Sequence, residues 1–98
     1  MYLKLDKATV PAGTIKFDVT NKGNVMHEMV MLKTDTPAGK LVATNGRVDE
    51  ADSVGEVADV EAHGTKSGTF TLKPGKYAFV CNIAGHYPAG MWAQFTVT

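Results

Sequence analysis

The sequence has a single cysteine among its 98 residues, so Cys81 has no partner for an internal disulfide. It also lacks any apolar stretch close to the ~20 residues that a transmembrane helix needs. Its net charge is zero at pH 7, which gives no reason to expect nucleic acid or an anionic membrane as a partner. These absences leave one domain, spanning residues 1–98, whose stability depends on packing and on any bound metal.

The N-terminal segment, Met1 to Asp6, alternates like a strand, with Leu3 and Leu5 on one face. It has no apolar segment of the kind found in signal peptides. From these residues alone, the chain is either cytoplasmic or the processed form of an exported protein.

Short alternating segments separated by turn residues run along most of the chain. Ile15, Phe17 and Val19 alternate with polar residues and predict a half-buried strand. Residues 25–32 are apolar on both parities except at His27 and Glu28, and they predict a strand covered on both sides. Further strands are expected at 68–72, 77–81 and 91–98. Residues 34–64 are expected to be irregular, with one short helix from Asp49 to Val57. This pattern favours an antiparallel β-sandwich or barrel.

The strongest indication of function lies near the C-terminus, where Cys81, His86 and Met91 are each separated by four residues. Thiolate, imidazole and thioether are ligands that suit copper, which cycles between two oxidation states. Taken singly, a buried cysteine or methionine is usually core packing, and a loop histidine is usually a surface residue. Their occurrence together within eleven residues favours a metal centre.

Strand parity predicts that these side chains converge. Tyr77, Phe79 and Cys81 share one face of a strand, and the two aromatic residues mark that face as inward. Met91 and Phe95 share the inward face of the next strand. Because a hairpin-like return joins the two strands, both sulfur atoms are expected near the same end of the sandwich.

A second histidine can complete the centre. His27 begins the apolar strand at residues 25–32, on the same parity as Met29. The residues therefore predict one metal site formed by His27, Cys81, His86 and Met91. Two other residues are expected to lie outside it: His63 at the surface, and Trp92 on the strand face opposite Met91.

The sequence resembles the cupredoxins, the small blue-copper electron carriers. The resemblance covers nearly the full length and rests on Asn21-x-Gly23-x-x-x-His27, on Pro74-Gly75-x-Tyr77-x-Phe79-x-Cys81, and on Gly85-His86 and Met91. The two four-residue spacings are more similar to those of rusticyanin and sulfocyanin than to those of plastocyanin or azurin.

This resemblance implies a Greek-key β-sandwich with one copper ion, cycling between Cu(I) and Cu(II), near one end. It implies His27, Cys81 and His86 as trigonal ligands and Met91 as a weak axial ligand. It also implies an electron carrier rather than an enzyme, located in the periplasm or outside the cell.

Two further residues are given roles by the resemblance. The backbone N–H of Glu28 is expected to donate a hydrogen bond to the sulfur of Cys81. Asn82 is expected to tie the loop after Cys81 to the strand that bears His27. Such contacts around the ligands tune the properties of a metal site.

Electrons are expected to pass through His86, with redox partner proteins docking near it and the carrier remaining a monomer without a small-molecule substrate. The loop at residues 83–90 is rich in alanine and glycine, which either forms an apolar docking surface or only reflects a tight loop. A cluster of acidic residues is either a solvated surface or a docking patch for a basic partner. The cluster comprises Asp49, Glu50, Asp52, Glu56, Asp59 and Glu61.

Other functions remain open on the residues alone. The chain is compatible with one domain of a copper oxidase or reductase, although Val80 and Asn82 flank Cys81 where such enzymes place histidines for further coppers. A copper-delivery protein would need an exchangeable site. A structural zinc site is disfavoured because a thioether is a poor zinc ligand, and a thiol hydrolase would need a base beside Cys81.

Overall fold

A computed structural model describes residues 5–44, 46–51, 53–83, 86–87 and 90–98. Within these ranges the backbone forms nine strands and one short 3₁₀ helix. The elements are β1 Thr9–Val10, β2 Gly13–Thr20, β3 His27–Lys33, the 3₁₀ helix Ala38–Lys40, β4 Ala43–Thr44, β5 Arg47–Val48, β6 Ser53–Val60, β7 Thr65–Leu72, β8 Gly75–Val80 and β9 Trp92–Val97.

The strands form two packed sheets and a small ribbon. The larger sheet has the order β1-β9-β8-β3-β6, and its pairs are antiparallel except for β1 with β9. The strands β2 and β7 pair antiparallel to form the second sheet, and β4 pairs with β5. This arrangement is a Greek-key β-sandwich and confirms the predicted fold class.

Alternate side chains of β2 pack against the core between the two sheets. Its inward residues are half-buried and its outward residues are exposed along the whole strand, as the sequence predicted. Phe17 meets the ring of Phe79 edge-on at 5.4 Å between centroids and that of Phe95 at 5.7 Å. Because Tyr77 is buried in the same cluster, the predicted inward face of β8 is confirmed.

The strand β3 is covered on both faces from Met29 to Leu32, as predicted, whereas Val25 and Met26, which were expected in this strand, precede it and are exposed. Met29 and Met31 point into the space between the sheets. Val30 and Leu32 point outward into a second apolar cluster, which also contains Ala38, Val48, Ala78, Val80 and Tyr87. Residues 38–41 and Val48 therefore cover the outer face of the larger sheet.

The helix predicted from Asp49 to Val57 is wrong, because Ser53–Val60 forms β6, antiparallel to β3. Val57 and Val60 are both buried although they are three positions apart, a spacing typical of a helix. A β-bulge explains it: His27 pairs with Val60 and Met29 pairs with Val57, so Ala58 and Asp59 of β6 oppose the single residue Glu28 of β3. Asp59 lies in this bulge with φ of 55°.

The predicted N-terminal strand is not found at Leu5, which lies outside any strand but packs against the core. Leu3 lies outside the described residues. In the described part of the chain, no helix is long and apolar enough to cross a membrane.

Candidate metal centre

Three predicted ligands meet at one end of the sandwich. The Nδ1 atoms of His27 and His86 are 3.1 Å apart. The Sγ atom of Cys81 is 3.2 Å from the Nδ1 atom of His86 and 3.5 Å from that of His27. These atoms come from the start of β3, the end of β8 and the loop before β9, so distant parts of the sequence converge on one point.

The size of this triangle suits a single metal ion. With metal–nitrogen bonds of about 2.0 Å and metal–sulfur bonds of about 2.3 Å, a trigonal plane would have edges of about 3.5 and 3.7 Å. The observed edges of 3.1, 3.2 and 3.5 Å are slightly shorter. A small outward movement of the rings is therefore enough to admit the ion.

The thiol of Cys81 is fully buried, and its surroundings affect its pKa in opposite directions. Burial raises the pKa of the Cys81 thiol, while the backbone N–H groups of Glu28 and Ile83 oppose that increase. The N–H of Glu28 lies 3.5 Å from the sulfur, which confirms this predicted contact. A buried thiol with a raised pKa remains protonated unless a cation replaces the proton, so the thiolate form requires a metal here.

The loop before β3 presents His27 to the centre. The buried side chain of Asn21 accepts a hydrogen bond from the N–H of Gly23 at 2.9 Å. It donates to the carbonyl oxygens of Val25 at 2.7 Å and Val60 at 2.9 Å. A Cβ atom on Gly23 would lie 3.3 Å from Oδ1 of Asn21, so a side chain there would crowd the group that accepts this hydrogen bond.

The histidine pair disfavours a second proton. Burial lowers the pKa of His27, and the neighbouring ring of His86 lowers it further. Two Nδ1 atoms at 3.1 Å can share one proton, whereas two protons would face each other. A metal ion that binds both nitrogens removes this conflict.

Backbone hydrogen bonds hold the loop between Cys81 and Met91, called the ligand loop because it carries His86. The N–H of His86 donates to the carbonyl of Ile83 at 2.9 Å, and the N–H of Met91 donates to the carbonyl of His86 at 3.1 Å. The N–H of Cys81 donates to the carbonyl of Met91 at 3.0 Å, which closes the loop and places these two residues side by side. The side chain of Met91 is buried. Of the small residues predicted to form a docking surface, Ala84, Gly85, Pro88 and Ala89 lie outside the described residues.

Asn82 has a different partner from the one predicted. Its side chain accepts a hydrogen bond from the N–H of Val48 at 2.7 Å and donates to the carbonyl of Val48 at 2.8 Å. The side chain also donates to the carboxylate of Glu50 at 2.7 Å. The backbone carbonyl of Asn82 accepts a hydrogen bond from the side chain of Arg47 at 2.9 Å. The residue after Cys81 is therefore tied to β5, not to the strand that bears His27.

Tyr87 is a buried residue of the site that the sequence analysis missed. Its hydroxyl contacts the chain at Ala38 and Leu41, and its ring lies in the outer apolar cluster. Only its position directly after His86 points to it in the sequence, because the loop has no strand parity to indicate which side chains are buried.

The remaining predictions concern the surface. Trp92 is 40% exposed on the face opposite Met91, and His63 is exposed, as predicted.

The carboxyl of Glu28 is half-buried, and its pKa is raised by burial and then by the nearby carboxylates of Glu50 and Glu56. Acidic groups therefore lie close to the strand that carries His27.

Comparison with known proteins identifies relatives. A family model described as the sulfocyanin (SoxE) domain matches residues 5–98. Auracyanin-B of Chloroflexus aurantiacus is 30% identical over 104 residues, covering 92% of this chain and 44% of that protein. The chain thus spans less than half the length of this relative.

Solved structures show the same fold. Reduced auracyanin from Roseiflexus castenholzii has a TM-score of 0.72 and 27% identity, with 95% of this chain and 86% of that chain covered. Rusticyanin from Thiobacillus ferrooxidans has a TM-score of 0.67 and 21% identity, with 92% and 59% covered. The second likeness supports the fold alone.

Proposed function

This chain belongs to the sulfocyanin (SoxE) domain family of the cupredoxins, and we propose on that basis that it carries single electrons by means of one copper ion. His27, Cys81 and His86 would hold the ion, and Met91 is proposed as a weaker fourth ligand. The observation that carries the proposal is the triangle of Sγ and two Nδ1 atoms, all within 3.5 Å of one another.

The chemistry of the donors supports copper. A thiolate and two imidazoles with a long thioether contact suit a metal that alternates between Cu(I) and Cu(II). Copper bound there supplies a one-electron couple. A structural zinc site would use four strong ligands, and methionine is not among them.

The chain's own contribution is to keep the ligand atoms in place. Cys81 is fully buried and receives an N–H from Glu28, so water is kept from the sulfur and its charge is partly balanced. Asn21 and Asn82 hold the chain next to His27 and Cys81 through buried hydrogen bonds. A site fixed in this way has little need to rearrange when its charge changes.

A carrier is favoured over an enzyme domain. Val80 and Asn82 flank Cys81, so the chain lacks the flanking histidines that hold further copper ions in copper oxidases. In the described part of the chain, the group His27, Cys81 and His86 is the only one that could hold a metal through histidine, cysteine or acidic residues. We therefore propose that residues 1–98 form a single electron-transfer domain.

Partner docking is proposed at the end of the molecule that carries His86. That histidine is only partly buried, and Val25 and Met26, next to His27 in sequence, are exposed apolar residues. Redox partner proteins are expected to bind this apolar surface. The carrier is proposed to be a monomer. Neither a nucleic acid nor a small-molecule substrate is part of the proposal.

The periplasm or the cell exterior is the proposed location, in keeping with the cupredoxin resemblance. Fractionation of the native cells tests this: recovery of the protein with cytoplasmic markers would contradict it. Sedimentation of the copper-loaded protein tests the monomer, which a stable dimer would rule out.

The proposed function is tested by redox titration of the copper-loaded protein, followed by visible absorption. The parent is expected to show intense colour as Cu(II), to lose it on one-electron reduction and to regain it on oxidation. Cys81→Ser should lack this colour, whereas His63→Gln, which changes an exposed histidine, should retain it. Tight colourless binding without reversible reduction would instead indicate a storage or structural site.

A further inference from the structure

Tyr87 follows His86 directly and is buried, yet it takes no part in the proposed metal binding. We propose that it is a positioning residue, whose hydroxyl anchors the loop carrying His86 to the 3₁₀ helix at Ala38–Lys40. This inference rests on the proposed copper function and adds a residue that controls how His86 is held.

The hydroxyl of Tyr87 makes two hydrogen bonds to backbone groups. It donates to the carbonyl oxygen of Ala38 at 2.7 Å and accepts from the N–H of Leu41 at 2.9 Å. Both partners belong to the segment that covers the outer face of the larger sheet. A single side chain therefore joins the ligand loop to a part of the chain some 46 to 49 positions away.

The anchor point is itself fixed to the sheet. The N–H of Ala38 donates to Oε1 of Gln94 at 2.9 Å, and Nε2 of Gln94 donates to the carbonyl of Tyr77 at 3.2 Å. Gln94 lies on β9 and Tyr77 on β8, the two strands that the ligand loop connects. Tyr87 thus holds the loop against the same strands from outside.

The ring of Tyr87 adds apolar contacts to this anchor. It is packed in the outer cluster with Val30, Val48 and Val80. Removing the hydroxyl alone leaves these contacts in place, so a phenylalanine there separates positioning from packing.

The anchor acts next to His86. The N–H of His86 donates to the carbonyl of Ile83 at 2.9 Å, and the carbonyl of Tyr87 accepts from the N–H of Gly90 at 3.0 Å. These bonds fix the backbone on either side of the peptide bond between His86 and Tyr87, and the hydroxyl of Tyr87 adds a contact to a distant segment. Because Tyr87 is one peptide bond from His86, fixing its side chain restricts where the imidazole lies, and ligand orientation strongly affects metal affinity.

The experiment compares Tyr87→Phe with Tyr77→Phe. Tyr77 is also a buried tyrosine, but its hydroxyl donates to the carbonyl of Lys73 at 2.6 Å, in the turn that precedes β8. Both substitutions remove a buried hydroxyl, so both should lower the thermal stability of the metal-free protein. Only Tyr87→Phe should speed copper loss to a chelator, by about tenfold, and alter the EPR spectrum of the Cu(II) form.

A measurement on the unaltered protein provides a second test. If the anchor helps to bind copper, copper must strengthen the anchor by the same factor. Amide exchange at Leu41, whose N–H donates to Tyr87, should therefore slow on loading with Cu(I). Exchange at Lys40, whose N–H donates to Pro37 within the 3₁₀ helix, should change less.

The proposal is overturned if Tyr87→Phe loses copper at the parent's rate, if both variants lose it equally fast, or if copper leaves the exchange of Leu41 unchanged. In these cases a coloured, redox-active parent would leave the proposed function standing. A parent that fails to bind copper with colour would remove the proposed function and this inference together.

Discussion

Replacing Asn82 with alanine removes three side-chain hydrogen bonds that join the residue after Cys81 to β5 and Glu50. Two of them involve the backbone of Val48: its N–H donates to the side chain of Asn82 at 2.7 Å, and its carbonyl accepts from that side chain at 2.8 Å. The side chain of Asn82 thus bonds to Val48 as the backbone of a neighbouring strand would. The third reaches the carboxylate of Glu50 at 2.7 Å. Asn82 and Val48 are both buried, so their polar groups have little access to other partners.

The expected cost follows from the groups left behind. A buried backbone group without a partner costs about 1–3 kcal/mol, and alanine leaves two such groups on Val48. An open groove lined by Val48, Glu50 and Asn82 lets water recover part of this cost. We therefore expect the free energy of unfolding to fall by about 2–3 kcal/mol, or roughly 10–20 °C in melting temperature for a domain of this size.

Thermal unfolding of the metal-free protein measures this effect. Asn24→Ala is the matched control, because Asn24 is exposed and such changes usually alter stability by less than about 0.5 kcal/mol. Asn82→Asp gives a second check: its carboxylate would face the carbonyl of Val48 and the carboxylate of Glu50. Protonation relieves that repulsion, so this variant should recover stability as the pH falls. A loss below about 1 kcal/mol for Asn82→Ala would refute the reasoning.

Two further predictions concern the histidine centre and docking. Burial and the neighbouring His86 lower the pKa of His27, so the unfolded chain binds more protons than the folded one just below pH 6.5. The metal-free protein should therefore lose stability as the pH falls through that range, as measured by urea unfolding. His27→Gln should weaken this dependence of the unfolding free energy on pH, and an unchanged dependence would contradict the role given to His27. Met26→Lys should slow electron self-exchange by about fivefold, since like charges would meet at the docking end. Val54→Lys is the control: Val54 is 43% exposed, Met26 is 47% exposed, and Val54 lies at the end of β6 far from His27. This control should leave the rate of self-exchange unchanged. Equal slowing by both substitutions would place docking elsewhere.

The fold was predictable where alternation and burial agree. The inward faces of β2, β8 and β9 follow directly from alternating apolar residues, and they bring Cys81 to the end of the sandwich. His86 was found from its spacing between Cys81 and Met91, and His27 was found as a second histidine at the start of an apolar strand. Their approach to within 3.1 Å depends on packing between strands, which spacing alone does not give.

The errors arise where a residue departs from regular alternation or pairs at long range. The helix expected from Asp49 to Val57 was wrong because Ser53–Val60 forms β6, and the bulge at Asp59 interrupts the alternation by which a strand is recognised. The partner of Asn82 is 34 positions away in a two-residue strand, too short to be recognised from its pattern. Tyr87 was missed for a similar reason, since its partners lie in the segment expected to be irregular.

Copper X-ray absorption, recorded on the oxidised and the reduced protein, tests the account most directly. It predicts one close sulfur neighbour and two imidazole nitrogens in both states, with nearly the same distances, and loss of the sulfur neighbour in Cys81→Ser. An ion without a sulfur neighbour, or a ligand set that changes on reduction, would contradict the claim that Cys81, His27 and His86 hold one copper ion for electron transfer.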